Sequence, residues 1–277
     1  MGESVESHLP GADAQRVRRM GRRAVLAGLC ALAVPGTVAA IAAETAPDGP
    51  TLSERSRRTA QPDALFRVRT DEPLVALTFD DGPDPAFTPT VLDELARQRA
   101  RATFFVVGTN ARAHSGLVRQ MLASGHRVAN HTRAHTVLDT MDEDGVRREI
   151  LGGAHLIRSA AGTSTEWFRP PRGQTSRTVG RAAVSTGQRT AFWTHCIERF
   201  LWQRSVEDAV DAMLSTVRPG DVLLLHDGGT IADTALPGFD RSRTVAALPL
   251  ILEGLRSRGL AATDLDTLVR SGRGARR

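Results

Sequence analysis

From residue 74 onward, apolar runs of strand length alternate with amphipathic stretches of helical period. Residues 74–79 form an unbroken apolar run apart from Thr78, and Gly82-Pro83-Asp84-Pro85 ends it. Thr88-Pro89 has the form of an N-cap with Pro at the first helical position, and it opens a helix with Val91, Leu92 and Leu95 on one face. Strands are predicted again over 103–107 and 127–130. A longer helix follows, marked by Val146, Ile150, Ala154 and Ile157. A strand over 190–193 comes next, then a helix opened by Ser205 and carried by Ala209, Met213 and Val217. A continuous apolar strand over 221–225 and a helix over 245–255 complete the pattern.

Repeated strand–helix units predict a parallel sheet, closed as a barrel or doubly wound, with function at the C-terminal strand ends. Three polar segments occupy such ends. They are Thr78-Phe79-Asp80-Asp81-Gly82-Pro83, His131-Thr132-Arg133-Ala134-His135 and Leu224-Leu225-His226-Asp227. His131 and His135 are four apart, so a helical turn would set both rings on one face. On an ideal strand Asp80 and Asp81 would aim to opposite faces, a rule that the turn after the strand relaxes. One carboxylate and two imidazoles make a three-ligand metal site with an open position for water. A second carboxylate and a distant His complete the parts for metal-assisted hydrolysis.

The N-terminal part changes the picture of where the protein works. Arg16, Arg18, Arg19, Arg22 and Arg23 precede an apolar stretch over 24–43 that ends in small residues. This is the form of an export signal over 1–43, and Arg22-Arg23 gives it a twin-arginine character. A membrane contact is expected through this signal or anchor alone. Residues 44–70, with Pro47, Pro50 and Pro62, are expected to be a linker. The folded domain is expected over 71–270, with a tail over 271–277. The net charge of +5 is modest, and no arginine run is interleaved with aromatics, so a nucleic-acid partner is not expected. Cleavage of the signal would remove Cys30 and leave Cys196 without a disulfide partner; Cys196 is expected to be a buried structural thiol. His114, His126 and His155 are expected at the surface or satisfied.

Taken together, these motifs resemble the polysaccharide deacetylase family, whose catalytic region is the NodB homology domain and which forms carbohydrate esterase family four. Thr78-Phe79-Asp80-Asp81-Gly82-Pro83 and His131-Thr132-x-x-His135 resemble its first two motifs. Phe168-Arg169-Pro170-Pro171-Arg172-Gly173 resembles the third, and Leu224-Leu225-His226 the last. The resemblance spans about residues 72–270. It implies an α/β fold, a distorted (β/α) barrel, and metal-dependent removal of N-acetyl groups from an N-acetylated polysaccharide. In that scheme Asp81, His131 and His135 bind one divalent metal, zinc by preference, with cobalt or nickel as alternatives. Asp80 is the base, His226 the acid, and Arg169 holds Asp80. Thr132 braces the His loop, and the backbone N–H after Pro171 shares the oxyanion. Arg172, Leu224 and Trp193 are the expected substrate contacts; Trp193 and Trp202 are read either as a sugar platform or as core packing.

Two departures from the family pattern stand out. The third motif usually carries an aromatic where this chain has Arg172, a residue suited to an acidic sugar or a peptide carboxylate. The fourth motif usually carries an Asp-Trp pair whose Asp helps fix the arginine; here Glu198 is the nearest substitute. Two rival functions remain at this level: an esterase that removes O-acetyl groups from xylan or other glycans, and a non-catalytic glycan-binding relative.

Overall fold

A computed structural model of the chain describes residues 57–229 and 240–274. The expected export signal lies outside them. Eight strands form one parallel sheet: β1 (Leu74–Asp80), β2 (Thr103–Val106), β3 (Arg127–Asn130), β4 (Trp167–Phe168), β5 (Arg189–Thr190), β6 (His195–Cys196), β7 (Val222–His226) and β8 (Ala261–Thr263). The order is β5-β4-β3-β2-β1-β7-β6, with β8 paired to the first half of β1. Helices follow the strands: α1 (Thr88–Arg97), α2 (Gly108–Ala113), α3 (Ser115–Ala123), α4 (Glu143–Ala161), α5 (Arg177–Ser185), α6 (Ile197–Leu201), α7 (Val206–Leu214), α8 (Ser242–Ser257) and α9 (Leu265–Gly274). The result is a distorted, incomplete (β/α) barrel.

β1 is buried on both faces, which is why it reads as a continuous apolar run. Its alternation still sorts the side chains. Val75, Leu77 and Phe79 join Phe104, Leu223 and Leu225 under α1, α7 and α8. Ala76 turns the other way and meets Phe105, Ala129 and Val222. Thr78 and Asp80 share Ala76's face by the same period of two. Polar residues therefore enter the barrel interior only toward the C-terminal end of β1. On the outside, Val91, Leu92 and Leu95 of α1 are buried as the periodicity predicts, each contributing about 1.5–3 kcal/mol.

The structure corrects several expectations. Thr88 is the first helical residue rather than the cap, which is Phe87. Its hydroxyl is engaged elsewhere, accepting from Asp84 N and donating to Asp227 Oδ2 (2.6 Å). The expected linker over 44–70 ends earlier, because Phe66 and Val68 are buried. Leu65 bridges Ala191 beyond β5, and Val68 N donates to the carbonyl of Gly220 ahead of β7 (2.9 Å). This segment spans the gap that the sheet leaves open. α9 runs past residue 270 into the expected tail.

On α4 the buried stripe runs through Gly153 rather than Ala154. A Cβ at Gly153 would lie 2.2 Å from Asn130 Oδ1 and 2.6 Å from the carbonyl carbon of Thr132. The glycine lets the helix press directly onto the loop that carries His131.

Of the alternatives for His126, surface or satisfied, the second holds for one ring nitrogen: the residue is buried edge-on to Phe104, with Nδ1 accepting from Ala102 N and Nε2 unpartnered. Burial and the neighbouring Arg101 charge push its pKa down to about 4, against a smaller opposing pull from Asp264. The unfolded chain binds this proton near 6.5 and the folded chain only near 4. Stability from this residue is therefore complete above about pH 6.5 and is lost as pH falls toward 4. Chemical denaturation across that window is expected to show a loss of up to about 3 kcal/mol, and His126→Gln should flatten it.

Candidate active site

The three polar segments meet at the C-terminal end of the barrel. Asp80 and His226 are register partners across β1 and β7 and project from the same pleated face. Asp81, the next residue, would point away on a regular strand. Its φ of 74° turns the chain back, and the carboxylate enters the same pocket. Close approach of two turns makes this possible. A Cβ at Gly82 would lie 2.4 Å from the Asp227 carboxylate, so the residue after the aspartate pair must be glycine. Asp227 is itself buried, with Oδ1 unpartnered. Burial, helped by the charges of Asp81 and Asp80, raises its pKa to about 7, against the hydrogen bond from Thr88.

His131 and His135 lie on a turn, not the helical turn that their spacing suggests; Thr132 and His135 have φ of 69° and 58°. Asn130 Oδ1 accepts from Thr132 N, and Thr132 Oγ1 accepts from His135 N (both 3.0 Å). Thr132 thus braces the loop as expected. His131 Nδ1 is 2.8 Å from the carbonyl oxygen of Arg169. A carbonyl only accepts, so Nδ1 carries the hydrogen and Nε2 presents its lone pair to the pocket. His131 Nε2 and His135 Nε2 lie 3.3 and 3.2 Å from Asp81 Oδ1.

These three residues fit a divalent metal. Asp81 Oδ1 is buried with no hydrogen-bond donor, an expensive state unless a cation completes it. Donors bonded to one tetrahedral ion at about 2.0–2.1 Å stand roughly 3.3 Å apart, which matches the observed spacing. The three ligand atoms lie within 4.8 Å of one another. Burial works to raise the Asp81 pKa, but the close approach of the His131 and His135 imidazoles and the His226 charge hold it well below the ordinary carboxylate range.

Asp80 is anchored from the opposite side. Arg169 is fully buried and donates through Nη1 to Asp80 Oδ1 (2.7 Å) and Thr78 Oγ1 (3.0 Å). Its Nε and Nη2 donate to the carbonyls of Ala191 and Phe192 (both 3.0 Å), and the guanidinium lies over the Phe105 ring. Burial lowers the Arg169 pKa, and Asp80 opposes that. One residue therefore fixes two partners, the base by its side chain and a metal ligand by its carbonyl.

Glu198 does not take the role expected of it. The donors of Arg169 are satisfied by Asp80, Thr78 and two carbonyls, and Glu198 instead stands beside His226. Its Oε1 is 2.9 Å from His226 Nδ1, at ion-pair distance though off the hydrogen-bonding direction. Thr244 Oγ1 and Cys196 Sγ also donate to Glu198 (3.0 and 3.3 Å). Burial alone would push the His226 pKa down, but the Glu198 charge and contact, with Asp81 and Asp80 behind them, raise it to about 9. Glu198 in turn is lowered by His226 against its own burial. Cys196 is a buried thiol whose pKa burial and the Glu198 charge push well up, so it is not a nucleophile. Glu198→Gln keeps the shape but removes the charge that holds the imidazole. It is expected to lower kcat about 10–100-fold while metal content, read by atomic absorption, stays at the wild-type level.

Of the expected substrate contacts, Leu224 lies buried on the inner face two residues below His226. Trp193 is half-buried, and Arg57 is stacked 4.6 Å from its ring centroid. Trp202 is 79% exposed, at the end of the helix that carries Glu198. Arg172 is exposed. Sequence reasoning missed two residues. Asn110 Nδ2 donates to the carbonyls of Asp81 and Gly229 (2.9 and 2.8 Å). Arg241 Nη2 reaches Asp81 Oδ2 (3.3 Å), and its Nε donates to the carbonyl of Gly228 (2.9 Å). Neither belongs to a motif, and nothing in the local sequence marks them.

A parallel barrel with Asp81, His131 and His135 as a possible metal site at the strand ends, flanked by an anchored carboxylate and an imidazole, has the form of a hydrolase site. Comparison with known proteins agrees. The model of the family described as polysaccharide deacetylase matches residues 67–191. A chitooligosaccharide deacetylase from Sinorhizobium fredii is 41% identical over 72% of this chain and 93% of that protein. A peptidoglycan-N-acetylglucosamine deacetylase from Bacillus cereus is 35% identical over 74% of this chain and 92% of that protein. Among solved structures, the Bc1960 peptidoglycan N-acetylglucosamine deacetylase superposes with a TM-score of 0.67 at 28% identity, covering 75% of this chain and 93% of that one. The chain belongs to the polysaccharide deacetylase family, a family of carbohydrate deacetylases.

Proposed function

We propose that the chain removes N-acetyl groups from an N-acetylglucosamine-containing polysaccharide, peptidoglycan or chitin-like, outside the cytoplasm. The observation that carries this reading is the flanking of one buried, donor-free carboxylate oxygen by two histidines, with a base and an acid held on either side. A divalent ion on Asp81, His131 and His135, with zinc the best match to the donor set, would act as a Lewis acid toward the acetyl carbonyl. Arg169 occupies Asp80 Oδ1, so Oδ2 is the oxygen available to take the proton of the attacking water. His226, raised to about 9, carries its proton at neutral pH. Its Nε2 lies on the pocket side, 4.0 Å from Asp81 Oδ2, and gives that proton to the amine nitrogen as the carbon–nitrogen bond breaks. The backbone N–H of Arg172 completes the oxyanion site, and Leu224 offers an apolar wall to the acetyl methyl. The paired arginines and apolar run at the N-terminus support export, which such a substrate requires.

Acetate release from N-acetylglucosamine oligomers and from peptidoglycan tests the reading. Release is expected to stop with chelator and to return with added zinc. Metal-loaded protein that acts on O-acetylated glycans alone would establish the esterase instead, and inactivity on both classes would leave the binding-protein reading.

A further inference from the structure

We propose that Arg172 makes this site selective for N-acetylated glycans that carry a carboxylate near the reacting sugar, over neutral ones. The inference rests on the deacetylase reading above and names the substrate class within it.

Arg172 is exposed and lies three residues beyond Arg169, whose side chain holds Asp80 and whose carbonyl holds His131, which keeps it close to the reacting groups. Its backbone is strained, with φ 58° and ψ 10° in the left-handed region. That conformation costs a residue with a Cβ about 1 kcal/mol or more, and such outliers gather at ligand sites. The turn is held rather than loose. Gly173 N donates to the carbonyl of Pro170 (3.0 Å) and Gln174 N to that of Pro171 (3.1 Å). Arg57 Nε donates to the carbonyl of Gly173 (3.0 Å). A Cβ at Gly173 would come within 2.5 Å of Trp193, so the turn rests directly on that ring.

The side chain on this rigid turn is exposed, and among the described residues it makes no ion pair, hydrogen bond or ring contact. Its neighbours in the site differ: Arg169 is fully engaged, and Arg241 is bound to Asp81 and Gly228. Arg57, stacked on Trp193 and bonded to Gly173, adds a second positive charge beside the same turn. A guanidinium presented this way matches a carboxylate through two parallel hydrogen bonds. A chain of N-acetylglucosamine alone offers hydroxyls and amides, which do not use that charge. A glycan with lactyl or peptide carboxylates on alternate sugars does.

The test compares kcat/KM for acetate release by the metal-loaded chain on a lactyl-bearing N-acetylated oligosaccharide and on the same oligosaccharide with its carboxylates amidated. The acidic form is expected to be preferred about tenfold, mainly through KM, with the preference shrinking as salt rises. Arg172→Gln should bring the ratio close to one, and Arg172→Lys should restore part of it. Equal rates on the two forms by the unaltered chain, or a ratio that Arg172→Gln leaves unchanged, would overturn the inference and leave the deacetylase reading standing. Release from neither form, in protein shown to hold its metal, would sink both.

Discussion

Replacing Arg169 by Met is expected to lower stability by about 3–5 kcal/mol and turnover at least a hundredfold. Methionine fills much of the same volume but donates no hydrogen bond. It would leave Asp80 as a buried carboxylate without its cation, and the carbonyls of Ala191 and Phe192 without their donor. Removing one member of a buried pair is costly because the survivor keeps its desolvation penalty. The base would also lose the contact that turns Oδ2 toward the pocket. Denaturant unfolding and initial rates on the same preparation measure the two effects. A variant as stable as the parent would show that the pair contributes nothing net to the fold.

The second large effect separates two adjacent aspartates. Asp80→Asn is expected to lower kcat about a thousandfold with metal content unchanged, because an amide accepts the Arg169 bond yet takes no proton. Asp81→Ala is expected to abolish both activity and metal retention, since its Oδ1 is the atom that faces both imidazoles. Activity and bound metal measured on each variant decide the matter. Metal loss in Asp80→Asn, or full metal and activity in Asp81→Ala, would reverse the assigned roles.

The long apolar runs announced their elements because burial on both faces demands them. β1 and β7 have no other way to lie at the centre of a parallel sheet. The two-residue strands β4, β5 and β6 carry too few positions to show a period, and α2 is a six-residue segment whose first turn bonds the loop that carries His131. Among site residues, those on motifs were legible because their chemistry is local: two carboxylates before Gly-Pro, a histidine pair, an arginine before Pro-Pro. Glu198 was visible, but its partner was misjudged. In sequence it is almost equally far from Arg169 and His226, so spacing does not choose between them; β6 pairs with β7, and that neighbour relation delivers it to His226.

The sequence by itself determined a parallel strand–helix fold and the motifs at its strand ends, and the resemblance those motifs carry supplied the barrel and the expected metal ligands, base and acid. The motifs are local, so one chain displays them in order. The tertiary structure decided the geometry: that Asp81 turns back through a positive φ, that the histidine pair sits on a turn beneath Gly153, and that Asn110, Glu198 and Arg241 close around the site. The reason is distance along the chain. Asn110 and Arg241 reach Asp81 across 29 and 160 residues. No local period or propensity encodes contacts of that separation. They exist only once the sheet order has set the strand ends side by side.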